Sequence, residues 1–195
     1  MNSKTHDTRH HILDVGYQLV VQKGFTSVGL SELLKTADVP KGSFYHYFKS
    51  KEQFGEALIE DYFMRYRQRI HQIFSEQSQN AYQRLMTYFQ HWLSVDDDTC
   101  NANRCLIVKL SAEVSDLSEP MRLALAKGSK RIIETVANII EQGQQDGSIL
   151  VTNSHEAALD IYHMWIGASV LNKLFHDQNG LTRCLAYTEQ RLKQP

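Results

Sequence analysis

Apolar residues recur three and four positions apart along most of the chain, and the runs are separated by glycine, proline or capping pairs. Ile12, Val15, Gly16, Leu19 and Val20 share one face of a first helix. It stops at Lys23–Gly24, a terminal cation followed by a residue suited to the position after a helix. Ser31–Lys35 predicts a short second helix after Leu30, and Pro40 breaks the chain before a third, Lys41–Tyr47. Ser50-Lys51-Glu52-Gln53 has the capping-box pattern and opens a long helix to about Phe74. Further helical patterns cover Tyr82–Leu93, Cys105–Val114 and Met121–Gln145, the last closed by Asp146–Gly147. A second capping-box pattern, Asn153-Ser154-His155-Glu156, precedes Ala157–Phe175, and Leu181–Leu192 ends the series. Ser148–Thr152 is β-prone but too short to compete as a sheet. The pattern predicts an all-α fold, a small N-terminal unit followed by a larger helical bundle.

Composition narrows the class. With 195 residues, 42% of them apolar, the chain can bury a sizeable core. Its best apolar run, Met164–Leu171, ends at Asn172 and Lys173, far short of the roughly 20 residues a bilayer span needs. The polar, His-rich start carries no signal-peptide pattern, and three cysteines make neither a disulfide framework nor a zinc ribbon. The expectation is a cytoplasmic protein with free thiols and no membrane partner. Charge is uneven: seven Lys and Arg against four acids leave residues 1–51 at +3 and the rest at −4. A basic end on an acidic body suggests a polyanionic partner if its cations share a face.

Thr26–Lys51 reads TSVGLSELLKTADVPKGSFYHYFKSK. A short helix, a tight turn at Thr36–Pro40 and a second short helix make a helix-turn-helix. Lys41, Gly42 and Ser43 start its second helix with little bulk, so its N-terminus can approach a groove wall and offer backbone N–H groups to phosphate. Tyr45, His46, Tyr47, Lys49 and Lys51 supply donors for phosphates and base edges. Phe44 and Phe48, four apart, are expected to pack inward beside Leu33, Leu34 and Val39.

These residues resemble a known family. Gly24-Phe25-Thr26, then Leu33, Ala37, Val39, Lys41-Gly42-Ser43-Phe44-Tyr45-His46-Tyr47-Phe48 and Lys51-Glu52 look like the N-terminal domain of the TetR family. The resemblance implies a homodimeric transcriptional regulator, usually a repressor. Residues 1–51 would bind double-stranded operator DNA, and residues 52–195 would dimerise and sense. It also implies roles: Thr26 caps the second helix against phosphate, Lys41, Gly42, Ser43, Tyr45, His46 and Tyr47 lie along the groove, and Lys51 sits on the DNA backbone.

The segment Cys105–Glu119, with Leu30–Thr36 and Trp165–Ala168, is similar to members of that family that respond to reactive electrophiles and oxidants. This implies that Cys105 is the sensing cysteine and that the regulated genes detoxify quinones, aldehydes and related compounds. Lys173 falls near a basic position of those members. Chemistry offers partial support. The reactive form is the thiolate, which nearby cations favour. Arg104 is adjacent, Lys109 is four residues on, and Cys105 lies near a helix N-terminus. Against this, a cysteine on an apolar helix face is usually packing. Cys100 follows Asp96–Asp98, whose charge blunts its reactivity, although its loop position leaves it open as a resolving thiol for Cys105, and Cys184 reads as packing in the last helix.

The helix Ala157–Phe175 is apolar nearly all round and must be covered on both sides. With Leu181–Leu192 it is expected to form the dimer's four-helix interface, using Trp165, Gly167, Ala168, Leu171, Leu181 and Leu185. Trp165 is open to a second reading, a place beside the effector. One alternative stays open, a non-covalent small-molecule inducer in the C-terminal domain, while an enzyme is a poor fit. No GxSxG, HExxH or P-loop occurs, the consecutive Asp96–Asp98 lack the alternate spacing of a cation loop, and His6, His10 and His11, which could chelate a metal, read as an exposed polar cluster. Neither enzyme chemistry nor a metal or other cofactor is expected.

Overall fold

The structure, a computed structural model, describes residues 2–96 and 99–194. Asp97 and Asp98 of the acidic run, and the side chains of His6 and Asp96, lie outside the described residues. Helices dominate: α1 (Asn2–Lys23), α2 (Leu30–Thr36), α3 (Lys41–Tyr47), α4 (Lys51–Phe74) and α5 (Ala81–Leu93) come first. A 3₁₀ turn at Asn101–Arg104 precedes α6 (Leu106–Leu117), α7 (Glu119–Asp146), α8 (Ser154–Phe175) and α9 (Asn179–Leu192). The β-prone Ser148–Thr152 forms no strand. Instead Val95–Asp96 pairs with Thr99–Cys100 as a two-residue antiparallel ribbon, which no sequence alternation announced.

Two compact units emerge, and they do not follow a cut at residue 51. One gathers the chain up to Arg65 with Lys109–Gly128; the other gathers Tyr66–Val108 with the chain from Ser129 onward. In the first unit Ile12, Leu13, Val20, Leu33, Phe44, Phe48, Phe54 and Ile59 are buried together. The rings of Phe44, Phe48 and Phe54 meet pairwise at 5.2–5.7 Å. Gly16 is required because a Cβ there would lie 2.3 Å from the Phe54 ring. The turn between α2 and α3 closes through Asp38 at φ 50, a left-handed conformation that Asp tolerates. Pro40 then stands as N-cap of α3, where its lack of an N–H costs nothing.

Gly128, in the same unit, faces Phe63, and a Cβ would sit 2.1 Å from that ring. Gly128→Ala is therefore expected to lower unfolding free energy by about 1–3 kcal/mol, overpacking outweighing a helix-propensity gain of up to about 1 kcal/mol. The urea midpoint is the measurement. An unchanged midpoint would show that Phe63 has room to swing aside.

The second unit is built on α5, α8 and α9 with most of α7. Asn80 and Gln83 make a reciprocal capping box on α5 that the sequence reading passed over. The Asp146 carboxylate accepts the Ala81 N–H at 3.0 Å, which ties the end of α7 to the start of α5. At α8 the expected capping box is half-formed. Asn153 Oδ1 accepts the Glu156 N–H at 3.1 Å, while Glu156 accepts from the Asn153 side chain rather than its backbone. At α4, Ser50 Oγ accepts the Gln53 N–H at 3.1 Å, and the Gln53 carbonyl reaches back to the N–H of Lys49. Between α8 and α9, His176 takes φ 55 and ends the helix.

Trp165 is the largest side chain of this core and is fully buried. Its ring stacks on Phe89 at 4.9 Å, meets Trp92 edge-on at 5.6 Å, and donates Nε1–H to Thr188 Oγ1 at 3.0 Å. This corrects its assignment to the dimer interface: the chain's own residues cover it completely. Leu181 is likewise fully buried within the unit.

Candidate DNA-binding face and sensing cysteine

Alternation of bulk along α3 sets its two faces. Phe44 points into the aromatic core, while Lys41, Gly42, Tyr45 and His46 are exposed and Ser43 and Tyr47 half-buried. Nothing lies within 4 Å of where a Gly42 Cβ would be, so the start of α3 is open to close approach. Lys41 Nζ stands 5.8 Å above the Tyr45 ring, and the His46 and Tyr47 rings meet edge-on at 4.8 Å. Five predicted groove residues and Gly42 thus belong to one short helix with an unobstructed surface.

Thr26 is placed differently from expectation. The N-cap of α2 is Gly29, with no side-chain cap, so Thr26 does not cap that helix. The physical reason is that Phe25 and Val28 are buried, and the turn they form delays the helix to Leu30. Lys51 Nζ donates to the Thr26 carbonyl at 3.2 Å and lies 4.8 Å from the centre of the Phe25 ring. Burial pushes its pKa down, against the opposing pull of Glu113 and Glu52.

In the second unit, Cys105 is buried and forms the residue between the 3₁₀ turn and α6, in extended backbone with φ −68 and ψ 119. Tyr88 and Tyr162 are buried nearby. Both hydroxyls have pKa values far above the usual range, mainly through burial, with charge on Cys105 pushing in the same direction. Tyr88 shares a hydrogen bond with the Tyr66 hydroxyl at 2.9 Å. Tyr162 Oη makes no hydrogen bond of normal geometry among the described residues, Ser129 being the group whose approach lowers its pKa. Asn172 Nδ2 donates to Asn103 Oδ1 at 2.9 Å, so the end of α8 that carries half-buried Lys173 is fastened to the turn just before Cys105. Lys109 Nζ, by contrast, donates to the Gln22 carbonyl at 3.1 Å within the first unit. Cys100 is buried with its thiol on the Trp92 carbonyl, and burial pushes the Cys184 thiol up, which suits a packing role. Among the described residues no group of three or more His, Cys, Asp or Glu side chains is placed to hold a metal. Nor is any helix there long and apolar enough to cross a membrane.

Residues 12–58 match the family model for bacterial regulatory proteins of the tetR family, and residues 81–188 match the tetracyclin repressor-like C-terminal domain. The chain belongs to the TetR family. The transcriptional repressor NemR of Escherichia coli K12 is 41% identical to it, covering 100% of this chain and 99% of that one. The repressor DhaR of Mycobacterium sp. GP1 is 28% identical over 94% and 91% of the two chains. Among solved structures, the reduced form of E. coli NemR superposes with a TM-score of 0.90 over 97% of this chain and 99% of that one. A TetR/AcrR-family regulator, 44% identical, does so at 0.87 over 96% and 100%. The chain is thus a NemR-like transcriptional repressor with an N-terminal helix-turn-helix, and not an enzyme. Repressors of this family bind operator DNA as dimers.

Two structural features of the helix-turn-helix region left no signal in the sequence. One is Gly29 as the N-cap of α2. The other is Glu113, which accepts the backbone N–H groups of Phe25 and Thr26, 88 and 87 residues away.

Proposed function

We propose that this repressor releases its operator when Cys105 is modified by a reactive electrophile or oxidant, and that it controls detoxification genes. What supports this most is the setting of Cys105: a buried thiol whose charge acts on two buried tyrosine hydroxyls, one residue before α6, in a chain alike to NemR over its whole length. Tyr162 offers a buried hydroxyl donor, which suits electrophiles whose reacting carbon is conjugated to a carbonyl oxygen, such as enals and quinones. Lys173 completes this reading as the cation that favours the thiolate. DNA contact is assigned to Lys41, Gly42, Ser43, Tyr45, His46 and Tyr47, with Thr26 and Lys51 shaping the approach to phosphate.

For dimerisation, the exposed apolar strip of α8 offers a continuous surface to a partner. Val170, Leu171, Leu174 and Phe175 are between 47% and 66% exposed, beside Gly167 and half-buried Ala168. Tyr187 of α9 is also about half exposed, and Leu185 half-buried. A reversible inducer is the competing reading. It would use the groove of about 350 Å³ lined by Tyr82, Met86, Gln90, Leu185 and Glu189, which holds no cysteine.

Operator binding with and without 1,4-benzoquinone, at fixed salt, tests the proposal. Wild type is expected to lose at least tenfold in affinity, an energy of about 1.4 kcal/mol, with a mass adduct on Cys105. Cys105→Ser should bind the operator normally and ignore the quinone. Equal release of both proteins would sink the covalent mechanism in favour of a reversible ligand.

A further inference from the structure

The connection between α1 and α2 is a turn, yet charged side chains from outside the three N-terminal helices hold backbone groups of three residues, Gln22 at the end of α1 and Phe25 and Thr26 beyond it. Glu113 of α6 accepts the Phe25 N–H on Oε2 at 3.0 Å and the Thr26 N–H on Oε1. Lys109, one turn earlier on the same helix, donates to the carbonyl of Gln22 at 3.1 Å. From α4, Lys51 donates to the Thr26 carbonyl at 3.2 Å. All these residues belong to the first compact unit. Between the held groups, Gly24 has φ +86, and a Cβ there would lie 2.9 Å from Glu113 Oε2. Glycine is needed at that position for its backbone conformation and for the approach of the carboxylate.

A carboxylate works against a DNA-binding unit, because it repels the phosphates that supply most of the affinity. Burial raises the Glu113 pKa, but the Thr26 hydroxyl, the Thr26 and Phe25 N–H groups and the Lys109 charge outweigh it and bring it below the usual range. The group is therefore charged at neutral pH, and its negative charge is answered by a convergent set of donors.

We propose that Glu113 is a positioning residue for operator binding: its carboxylate holds the α1–α2 turn, and so the start of α2, in the pose that the helix-turn-helix needs on DNA. Lys109 and Lys51 hold the carbonyls on either side. The reading is independent of the role given to Cys105, and it is tested on reduced protein without electrophile.

Two explanations of Glu113 predict opposite signs. If it is only an acid near a DNA-binding face, Glu113→Gln removes repulsion and tightens operator binding. If it positions the turn, Gln offers a single acceptor oxygen and turns an amide donor toward the other N–H. The operator dissociation constant should then rise about tenfold at fixed salt, as expected for one lost charge-assisted hydrogen bond. The thermal midpoint should fall by no more than a few degrees, since the same bond is lost from the free protein, the dimer mass should stay at wild type, and amide exchange at Phe25 and Thr26 should accelerate while α8 keeps its protection. Unchanged or tighter operator binding overturns the proposal. A measurement on wild type stands should the variant misfold: the Thr26 amide, in an exposed turn, should exchange at least tenfold slower than an unstructured amide. Exchange at the unstructured rate shows that no clamp forms in solution and overturns it equally.

Discussion

Trp165→Ala is expected to lower the unfolding free energy by about 3–5 kcal/mol, which is a large fraction of a typical domain's stability. The indole is fully buried, with one face on Phe89 at 4.9 Å and an edge on Trp92 at 5.6 Å, so its removal leaves a cavity that stiff aromatic neighbours are slow to fill. The polar part of the effect can be separated. Trp165→Phe keeps most of the ring but leaves Thr188 Oγ1, itself fully buried, without its indole donor. That loss should cost about 1–3 kcal/mol, and adding Thr188→Val should return most of it, because removing both partners leaves nothing polar stranded. Urea unfolding at one fixed protomer concentration reads all three variants, since dimerisation makes stability concentration-dependent. A small loss in Trp165→Ala would mean that α5 and α8 collapse onto the vacancy.

How far the chain could be read in advance depends on how local each signal is. The bounds of α3, Lys41–Tyr47, follow from Pro40 and from the aromatic spacing of Phe44 and Phe48, all within nine residues, and the structure reproduces them. The inward packing of those rings and of Leu33 was legible for the same reason. Trp165 was not, because α8 is apolar nearly all round and such a helix has periodicity without a phase. Its buried face even includes Ser169, which donates to the Trp165 carbonyl at 2.7 Å, and Asn172, bonded to Asn103. Meanwhile Leu174 and Phe175 stand more than 60% exposed. Polar residues inside and apolar residues outside invert the usual inference, and only the partner helices resolve it. Thr26 failed differently: it has the side chain of a helix cap, but the buried Phe25 and Val28 push the helix start past it. Glu113 left no local trace at all, since its partners are backbone N–H groups, which every residue but proline carries.

Leu174→Asp is expected to convert the dimer to a monomer and weaken operator binding at least hundredfold. In the protomer Leu174 is 66% exposed, so the substitution costs the fold little. In a symmetric dimer the same face meets itself, and one substitution acts twice. Each buried leucine is worth about 1.5–3 kcal/mol, and a carboxylate in its place adds a desolvation penalty. Two such losses exceed the roughly 2.7 kcal/mol that corresponds to a hundredfold change. A repressor of this family reads two half-sites through one assembly, so a monomer keeps one recognition helix and about half the phosphate contacts. The slope of log affinity against log salt should therefore fall to about half, alongside the drop in affinity. Leu150→Asp is the control, because Leu150 is 55% exposed but sits in the connection between α7 and α8, away from the α8 strip. It should leave mass, affinity and salt slope unchanged. A Leu174→Asp protein that remains dimeric with an unaltered slope would move the interface off this face of α8, and the exposed leucines would need another occupant.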